Sequence, residues 1–172
     1  MEERAKQQQL LELLQAGLPE DVAKVDTSTV RYGLYARKST TSEDKQASAI
    51  PDQIRECLDV VVVPNGLNVV KIYKESMSAK YPDAREEFSN MIRDIQMGRI
   101  DGVIAWHPDR LSRNMKDAGA IIDLVDRNAI RDLKFKTFTF ENTPAGKMLL
   151  GITFVMAKQD SEHQGESVGR CN

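Results

Sequence analysis

Three polar segments of this sequence place arginines beside hydroxyl or acidic side chains. They supply one serine and four arginines, which are Ser39, Arg37, Arg85, Arg110 and Arg113. Arginine keeps its charge at physiological pH, and its planar guanidinium matches two oxygens of a phosphate group. A serine hydroxyl among several guanidiniums suits phosphoryl transfer. The guanidiniums would bind the non-bridging oxygens, favour the ionised hydroxyl and stabilise the charge of the transition state.

Each of these segments is weak evidence when taken alone. An arginine in a loop is usually a solvated or salt-bridged surface group, and a short string such as YARKS (residues 35–39) occurs by chance. The hypothesis therefore depends on whether the fold brings the three segments together.

From Val30 onward the sequence predicts strands that alternate with helices. The predicted strands are Val30–Tyr35, Val69–Tyr73, Gly102–Trp106 and Lys134–Phe140. The predicted helices are Ser48–Val62, one from Asp83 or Ala84 to Gly98, Met115–Asn128, and Ala145–Val168. This α/β pattern implies a mainly parallel sheet of four to five strands with helices on both faces. The loops after the first three strands should then meet at one edge of the sheet.

Composition limits the classes of function. The chain has 172 residues, 41% of them hydrophobic, and a net charge of −2. A protein that binds DNA mainly through its overall charge should be basic, so a nucleic-acid role would need a local cluster. The two cysteines, Cys57 and Cys171, lack metal-ligand spacing, and we expect no metal. The polar N-terminus and short apolar runs predict a cytoplasmic chain without a signal peptide or membrane span.

The combined motifs resemble a known family. YARKS, the downstream Gln53, DAREEF (residues 83–88) and DRLSRN (residues 109–114) are together similar to the catalytic domain of serine recombinases. This family contains resolvases, DNA invertases and the large recombinases of phages and mobile elements. The resemblance covers about Val30–Arg170, and the wording of YARKS and TPAGKMLLGI (residues 143–152) is most similar to the large serine recombinases or integrases.

The resemblance implies a resolvase-like catalytic fold, no cofactor, and a role for each motif residue. Ser39 matches the nucleophile, which attacks a DNA phosphodiester and leaves a 5′-phosphoserine link and a free 3′-hydroxyl. Asp109 matches an acid that orients arginines or assists proton transfer, whereas Ser112 is interpreted as structural. The remaining matches are the phosphate-binding arginines, a nearby glutamine and two supporting positions, namely Arg37, Arg85, Arg110 and Arg113, then Gln53, then Tyr35 and Glu75.

Composition and the resemblance together predict the domain organisation, and the resemblance implies the partners. Residues 1–29 form an acidic N-terminal helical extension or linker, with a helix expected at residues 2–16, and residues 30–143 form the catalytic domain. Residues 144–172 form a long helix that ends before the family's DNA-binding modules. The expected partners are DNA, at attachment or resolution sites, and further copies of a bacterial or phage-encoded chain, joined as a dimer or tetramer. The apolar stretch Met148–Met156 would make the subunit contacts, and an ordinary amphipathic core helix is the less favoured alternative.

Two other functions remain as alternatives. The fold could serve as a regulatory or assembly module that does not cleave DNA, which would differ from the enzyme in the use of Ser39. A flavodoxin-like nucleotide-binding domain is disfavoured, because no glycine-rich phosphate loop follows the first strand.

Overall fold

The computed structural model describes residues 24–38, 49–76 and 84–168, with side chains described as far as residue 156. Its strands and helices alternate in the order β1 (Arg31–Arg37), α1 (Ile50–Cys57), β2 (Asn68–Glu75), α2 (Glu86–Gln96), β3 (Gly102–Ala105), α3 (Pro108–Leu111), α4 (Met115–Asp126), β4 (Asp132–Phe135) and α5 (Pro144–Val168). A short 3₁₀ turn, Thr27–Thr29, precedes β1 in the predicted linker. The helix predicted at residues 2–16 lies outside the described residues.

The four described strands form one parallel sheet in the order β2-β1-β3-β4. β1 lies inside the sheet, so that Tyr35 pairs with Tyr73 of β2 on one side and Ala105 of β3 on the other. The register between β1 and β2 slips after Tyr32, which leaves Val70 as an extra residue in β2. The predicted α/β class and parallel sheet are confirmed.

The core lies on both faces of the sheet, as predicted. Along β1, Tyr32, Leu34 and Ala36 pack on one face with residues of α1 and the turn that follows it. Tyr35 points to the opposite face, where side chains of α2, α4 and α5 pack. This alternation is the two-residue period of an extended strand, and burial on both faces explains why β1 has no polar stripe before Arg37.

The helical segment that begins with α1 continues beyond the predicted end at Val62. A π-helical turn, Leu58–Val62, leads into a last turn, Val63–Asn65, that includes Pro64. Gly66 then ends the helix with a φ of 59°, a left-handed conformation that glycine adopts without a steric penalty. The predicted stop near Pro64 and Gly66 is therefore confirmed at the glycine.

The predicted fourth strand, Lys134–Phe140, is wrong in its second half. β4 covers Asp132–Phe135, because its neighbour β3 ends at Ala105. Beyond it, the amide of Lys136 donates to the carbonyl of Ala105 at 3.3 Å, and the amide of Thr137 donates to that of Trp106 at 3.2 Å. Alternating threonine and phenylalanine residues are typical of a strand, which explains the prediction. Phe138 and Phe140 nevertheless lie in an irregular segment, from which they pack on the core.

α5 has a buried face and an exposed apolar face. Leu150 and Phe154 are buried in the core, whereas the exposed apolar residues are Met148, Leu149, Ile152, Val155 and Met156. The core interpretation therefore holds for the buried face, and the contact between subunits stays a prediction for the exposed face. Within the described part of the chain, no helix is long and apolar enough to cross a membrane.

Candidate active site

Arg37 is the last residue of β1, and main-chain oxygens fix its side chain. Its Nη2 donates to the carbonyl of Asp109 at 2.7 Å and its Nε to the carbonyl of Arg110 at 3.3 Å. The residue is only 9% exposed. Gln53 of α1 holds the strand end from the other side, because its Nε2 donates to the Arg37 carbonyl at 2.8 Å.

The acceptors for these arginines come from α3. The last carbonyls of a helix have no partner within it and carry its partial negative charge. In α3 the carbonyls of Asp109 and Arg110 accept from Arg37, and that of Leu111 accepts from Nη2 of Arg85 at 2.9 Å. Both guanidiniums therefore bind the last carbonyls of this short helix. The end of β1 and the start of α2 consequently lie beside the segment that follows β3.

Arg85 directly precedes α2 and reaches back over the sheet. Its Nη1 donates to Oδ2 of Asp117, and its Nη2 also donates to the Tyr35 hydroxyl at 2.9 Å. The guanidinium lies 4.0 Å from the centre of the Phe88 ring. Ionic, polar and aromatic contacts thus orient a side chain that the sequence predicted to bind phosphate.

Arg110 is the most deeply buried of the candidate arginines, with 2% exposure. Its Nη1 donates to Oδ2 of Asp109 at 2.8 Å. The guanidinium also lies 5.5 Å from the centre of the Trp106 ring. Trp106 is itself held by Glu56 of α1, to which its Nε1 donates at 2.7 Å.

Asp109 supplies the carboxylate that pairs with Arg110. Burial opposes its ionisation, but His107, Arg110 and Arg37 outweigh that effect and lower the pKa of the carboxyl below its usual value. His107 begins α3, and its Nδ1 lies 3.0 Å from Oδ1 of Asp109. Asp109 is therefore a carboxylate at neutral pH, able to orient Arg110 or to accept a proton.

Glu75 and Tyr35 form hydrogen bonds that connect the elements around the site. Oε2 of Glu75 accepts from the amide of Phe88 at 2.8 Å and from the Tyr35 hydroxyl at 3.4 Å. Burial raises the pKa of Tyr35 to about 12. The phenol is therefore neutral, donates to Glu75 and accepts from Arg85, which ties the ends of β1, β2 and α2 together.

Positive charge is concentrated at this end of the sheet. Burial, followed by the charges of Arg85 and Arg110, lowers the pKa of Arg37 to about 10. The guanidinium still carries its charge at neutral pH. Such a cluster can bind a phosphodiester and stabilise further negative charge on it.

Most of the predicted site residues come together here. The described cluster contains Arg37, Arg85, Arg110, Asp109, Gln53, Tyr35 and Glu75. Arg113 lies next to it, since its amide donates at 3.3 Å to the carboxylate of Asp117 that binds Arg85. Ser39 lies outside the described residues, two positions after Arg37 in the sequence. Ser112 donates its hydroxyl hydrogen to the carbonyl of Asn114 at 2.9 Å, which fits the structural interpretation.

Residues 33–170 match the family model described as the resolvase N-terminal domain. The chain belongs to the resolvase family. A relative in Bacillus subtilis (strain 168), provisionally named as a DNA recombinase, is 28% identical over 119 residues. That match covers 69% of this chain but only 23% of the relative, so the chain spans about a quarter of that protein's length.

Two solved structures show the same resolvase-type fold. The N-terminal catalytic domain of TP901-1 integrase has a TM-score of 0.56 and 22% identity, and the match covers 77% of this chain and 97% of that one. A resolvase family site-specific recombinase from Streptococcus pneumoniae has a TM-score of 0.57 and 18% identity, with coverages of 80% and 94%. The predicted family and fold are therefore confirmed.

Asp117 is a site residue of this resolvase-family domain that the sequence reasoning missed. It binds Arg85 and the amide of Arg113 through one carboxylate oxygen. Asn114 caps α4 by accepting from the Asp117 amide at 2.9 Å. An Asn followed by an acid three residues later marks a helix start, and this spacing could have placed Asp117 beside the arginine motif.

Proposed function

We propose that this chain is the catalytic domain of a site-specific DNA recombinase in which Ser39 is the nucleophile. The observation that carries the proposal is the convergence of Arg37, Arg85 and Arg110 at the carboxyl ends of β1 and β3. The strand end that carries Arg37 leads directly to Ser39 in the sequence. Membership of the resolvase family supports the same reaction class.

The proposed step exchanges one phosphate ester for another. The Ser39 oxygen attacks phosphorus, and its proton passes to a carboxylate, for which Asp109 is the candidate. The bond from phosphorus to the 3′ oxygen breaks, and that oxygen takes up a proton to become a free 3′-hydroxyl. The phosphoserine ester retains the energy of the broken bond, so the reverse attack by a 3′-hydroxyl rejoins DNA without ATP.

The arginines would act by electrostatics in this step. The guanidiniums bind the non-bridging oxygens and stabilise the charge that gathers there in the transition state. Main-chain carbonyls already orient Arg37 and Arg85, so little reorganisation is needed when DNA arrives.

We also propose that the partners are DNA and further copies of this chain. The exposed apolar face of α5, which includes Met148, Ile152 and Met156, is assigned to contacts between subunits. Methionine side chains adapt to different packing arrangements, which suits a surface used in both a dimer and a tetramer.

The test is a covalent adduct on DNA. A pool of duplexes with a sulfur in place of the bridging 3′ oxygen should trap the protein, because a thiolate leaves readily and rejoins poorly. We expect a denaturant-resistant adduct whose phosphate maps to Ser39 by mass spectrometry, and no adduct from Ser39→Ala. Ser112→Ala is the matched control, since its hydroxyl donates to the main chain, and it should still form the adduct.

Two outcomes would contradict the proposal. An adduct that persists in Ser39→Ala would exclude Ser39 as the nucleophile. Absence of any adduct from the unaltered protein, with DNA bound to it, would favour the regulatory or assembly module that does not cleave.

A further inference from the structure

A groove beside the arginine cluster is not used by the proposed chemistry. It has a volume of about 790 Å³ and lies between α2 and α4. Its charged lining residues are Arg85, Arg93, Arg113, Lys116 and Asp117. We call it the α2–α4 groove. Two of its cations, Arg85 and Arg113, belong to the predicted phosphate-binding set, so the groove begins where the candidate active site ends.

The charges in this groove are strongly unequal. Four cations face one acid, Asp117, and that carboxylate is already bound to Arg85 and to the amide of Arg113. Arg93 has only a long contact of 3.5 Å to the side-chain oxygen of Asn90. Among the described residues, neither Arg93 nor Lys116 lies within ion-pair distance of a carboxylate. Through Arg93 and Lys116 the groove therefore presents two positive charges that no carboxylate of the described residues pairs with, in a protein whose net charge is −2.

The uncharged residues that line the groove limit the class of ligand that could bind there. Its apolar lining residues are Phe88, Ile92 and Ala120, and the side chains of Ser89 and Gln96 can form hydrogen bonds. An extended chain with anionic groups at regular intervals and apolar rings between them fits such a surface. The sugar–phosphate backbone of DNA has this composition, and contacts from Arg, Lys, Ser and Gln to phosphate are the commonest in protein–DNA complexes.

We infer that the α2–α4 groove binds the DNA backbone next to the phosphate held by the arginine cluster, with Arg93 and Lys116 as its phosphate contacts. This inference rests on the proposed function. It adds Arg93 and Lys116, which belong to none of the recognised motifs, to the residues proposed to contact DNA. It also implies that one DNA strand leaves the active site along α2 and α4. These contacts are independent of sequence, because phosphates carry no base information.

The test is the salt dependence of DNA binding by the whole chain. Binding of a fluorescent duplex is measured by anisotropy between about 50 and 200 mM salt, a range over which each phosphate contact contributes a slope of about 0.9. The slope of log affinity against log salt is negative. For Arg93→Gln with Lys116→Gln, we expect it to become shallower by about 1.8. The matched control is Arg55→Gln with Arg127→Gln, which removes the same charge from two exposed arginines outside the groove.

The possible outcomes separate this inference from the proposed function. Equal slopes for the groove variant and the charge-matched control would overturn the groove while leaving the Ser39 adduct as evidence for the chemistry. Absence of DNA binding by the unaltered chain at the lowest salt would overturn both. Tighter binding of a fluorescent polyglutamate peptide than of DNA, lost in the groove variant, would assign the groove to an acidic protein and overturn the inference.

Discussion

At the scale of single residues, the candidate site depends on carbonyl oxygens as much as on side chains. Arg37 and Arg85 are held by three successive carbonyls of α3, and Gln53 is held by the carbonyl of Arg37. A carbonyl oxygen does not titrate within the range where proteins stay folded. The orientation of these guanidiniums should therefore vary little with pH.

Asp117 is the side chain whose loss should disturb this arrangement most. In Asp117→Asn the amide can still accept from the Arg113 amide, but Arg85 loses its ionic partner and shifts. A displacement of about 1 Å can cost about 100-fold in rate, so we expect single-turnover adduct formation to slow by about 10- to 100-fold. The control is Asp123→Asn on the same helix, where an exposed pair with Arg127 is lost.

Two further measurements distinguish a positioning role of Asp117 from a role in stability alone. Thermal unfolding of Asp117→Asn should match that of Asp123→Asn, and Asp117→Glu should restore part of the rate because the charge returns. Equal rates for the two asparagine variants would show that Asp117 does not position Arg85.

The sequence could predict the members of this site but not what holds them. The four arginines, Asp109 and Gln53 were recognisable because their types and order match a motif. Arg37 and Arg85 are held by carbonyls of α3. Any residue type provides a carbonyl, and a four-residue helix is too short to show periodicity. Asp117 escaped prediction because its role depends on α4 lying against Arg85, which is a tertiary contact.

At the scale of elements, β2 and α2 are joined by one buried carboxylate. Asp94 of α2 accepts from Nζ of Lys71 and the hydroxyl of Tyr73 on β2, both at 2.7 Å, and from Arg99 at 3.0 Å. The hydrogen bonds from Lys71 and Tyr73 lower the pKa of Asp94, although burial opposes them. α2 carries one wall of the α2–α4 groove, so this carboxylate also fixes the position of Arg93.

The resulting pH dependence has a definite sign. Because the pKa of Asp94 is lower in the folded than in the unfolded chain, its stabilisation is complete above the unfolded value of about 4. It is lost as the pH falls below that value. We expect Asp94→Asn to lower the free energy of unfolding by about 1–3 kcal/mol at pH 7. Urea unfolding at a series of pH values should also show a weaker decline in acid.

The control for Asp94 is Asp59→Asn, which changes an exposed acid on the π-helical turn after α1. It should leave the unfolding free energy at pH 7 close to that of the unaltered protein. If Asp94→Asn retains the full acid dependence, another carboxylate is responsible for it.

The elements that were well predicted are those whose burial follows a regular period. α2 and α4 were recognised from apolar residues on one face, and β1 to β3 from short apolar runs. β4 was misjudged because pairing depends on the length of β3, which a local pattern does not contain. Asn128, two residues after α4, has a φ of 57°, and asparagine is among the few residues other than glycine that tolerate this conformation.

At the scale of the whole molecule, α5 should control association. Placing a charge at Ile152, which is 45% exposed, would bury that charge in any interface made by this face. We expect Ile152→Glu to weaken self-association by at least about tenfold, equivalent to about 1.4 kcal/mol, as measured by sedimentation equilibrium. The control is Val60→Glu, which alters an exposed apolar residue at 52% exposure on the opposite side of the sheet.

The outcome for α5 is decided by comparing these two variants. If Ile152→Glu associates as the unaltered chain does, the exposed face of α5 is not the contact between subunits. If Val60→Glu dissociates the protein and Ile152→Glu does not, the interface lies on the α1 side instead.

The extra residue in β2 limits the ways in which copies of this chain can join. β2 is an outer strand of the described sheet, and a regular outer strand invites intermolecular strand addition, which leads to domain swapping and fibrils. The bulge at Val70 bends the strand and interrupts its hydrogen-bond ladder, and Lys71 and Lys74 add charge to it. Open-ended aggregation through this edge is thereby discouraged, which leaves other surfaces of the chain for contacts between copies.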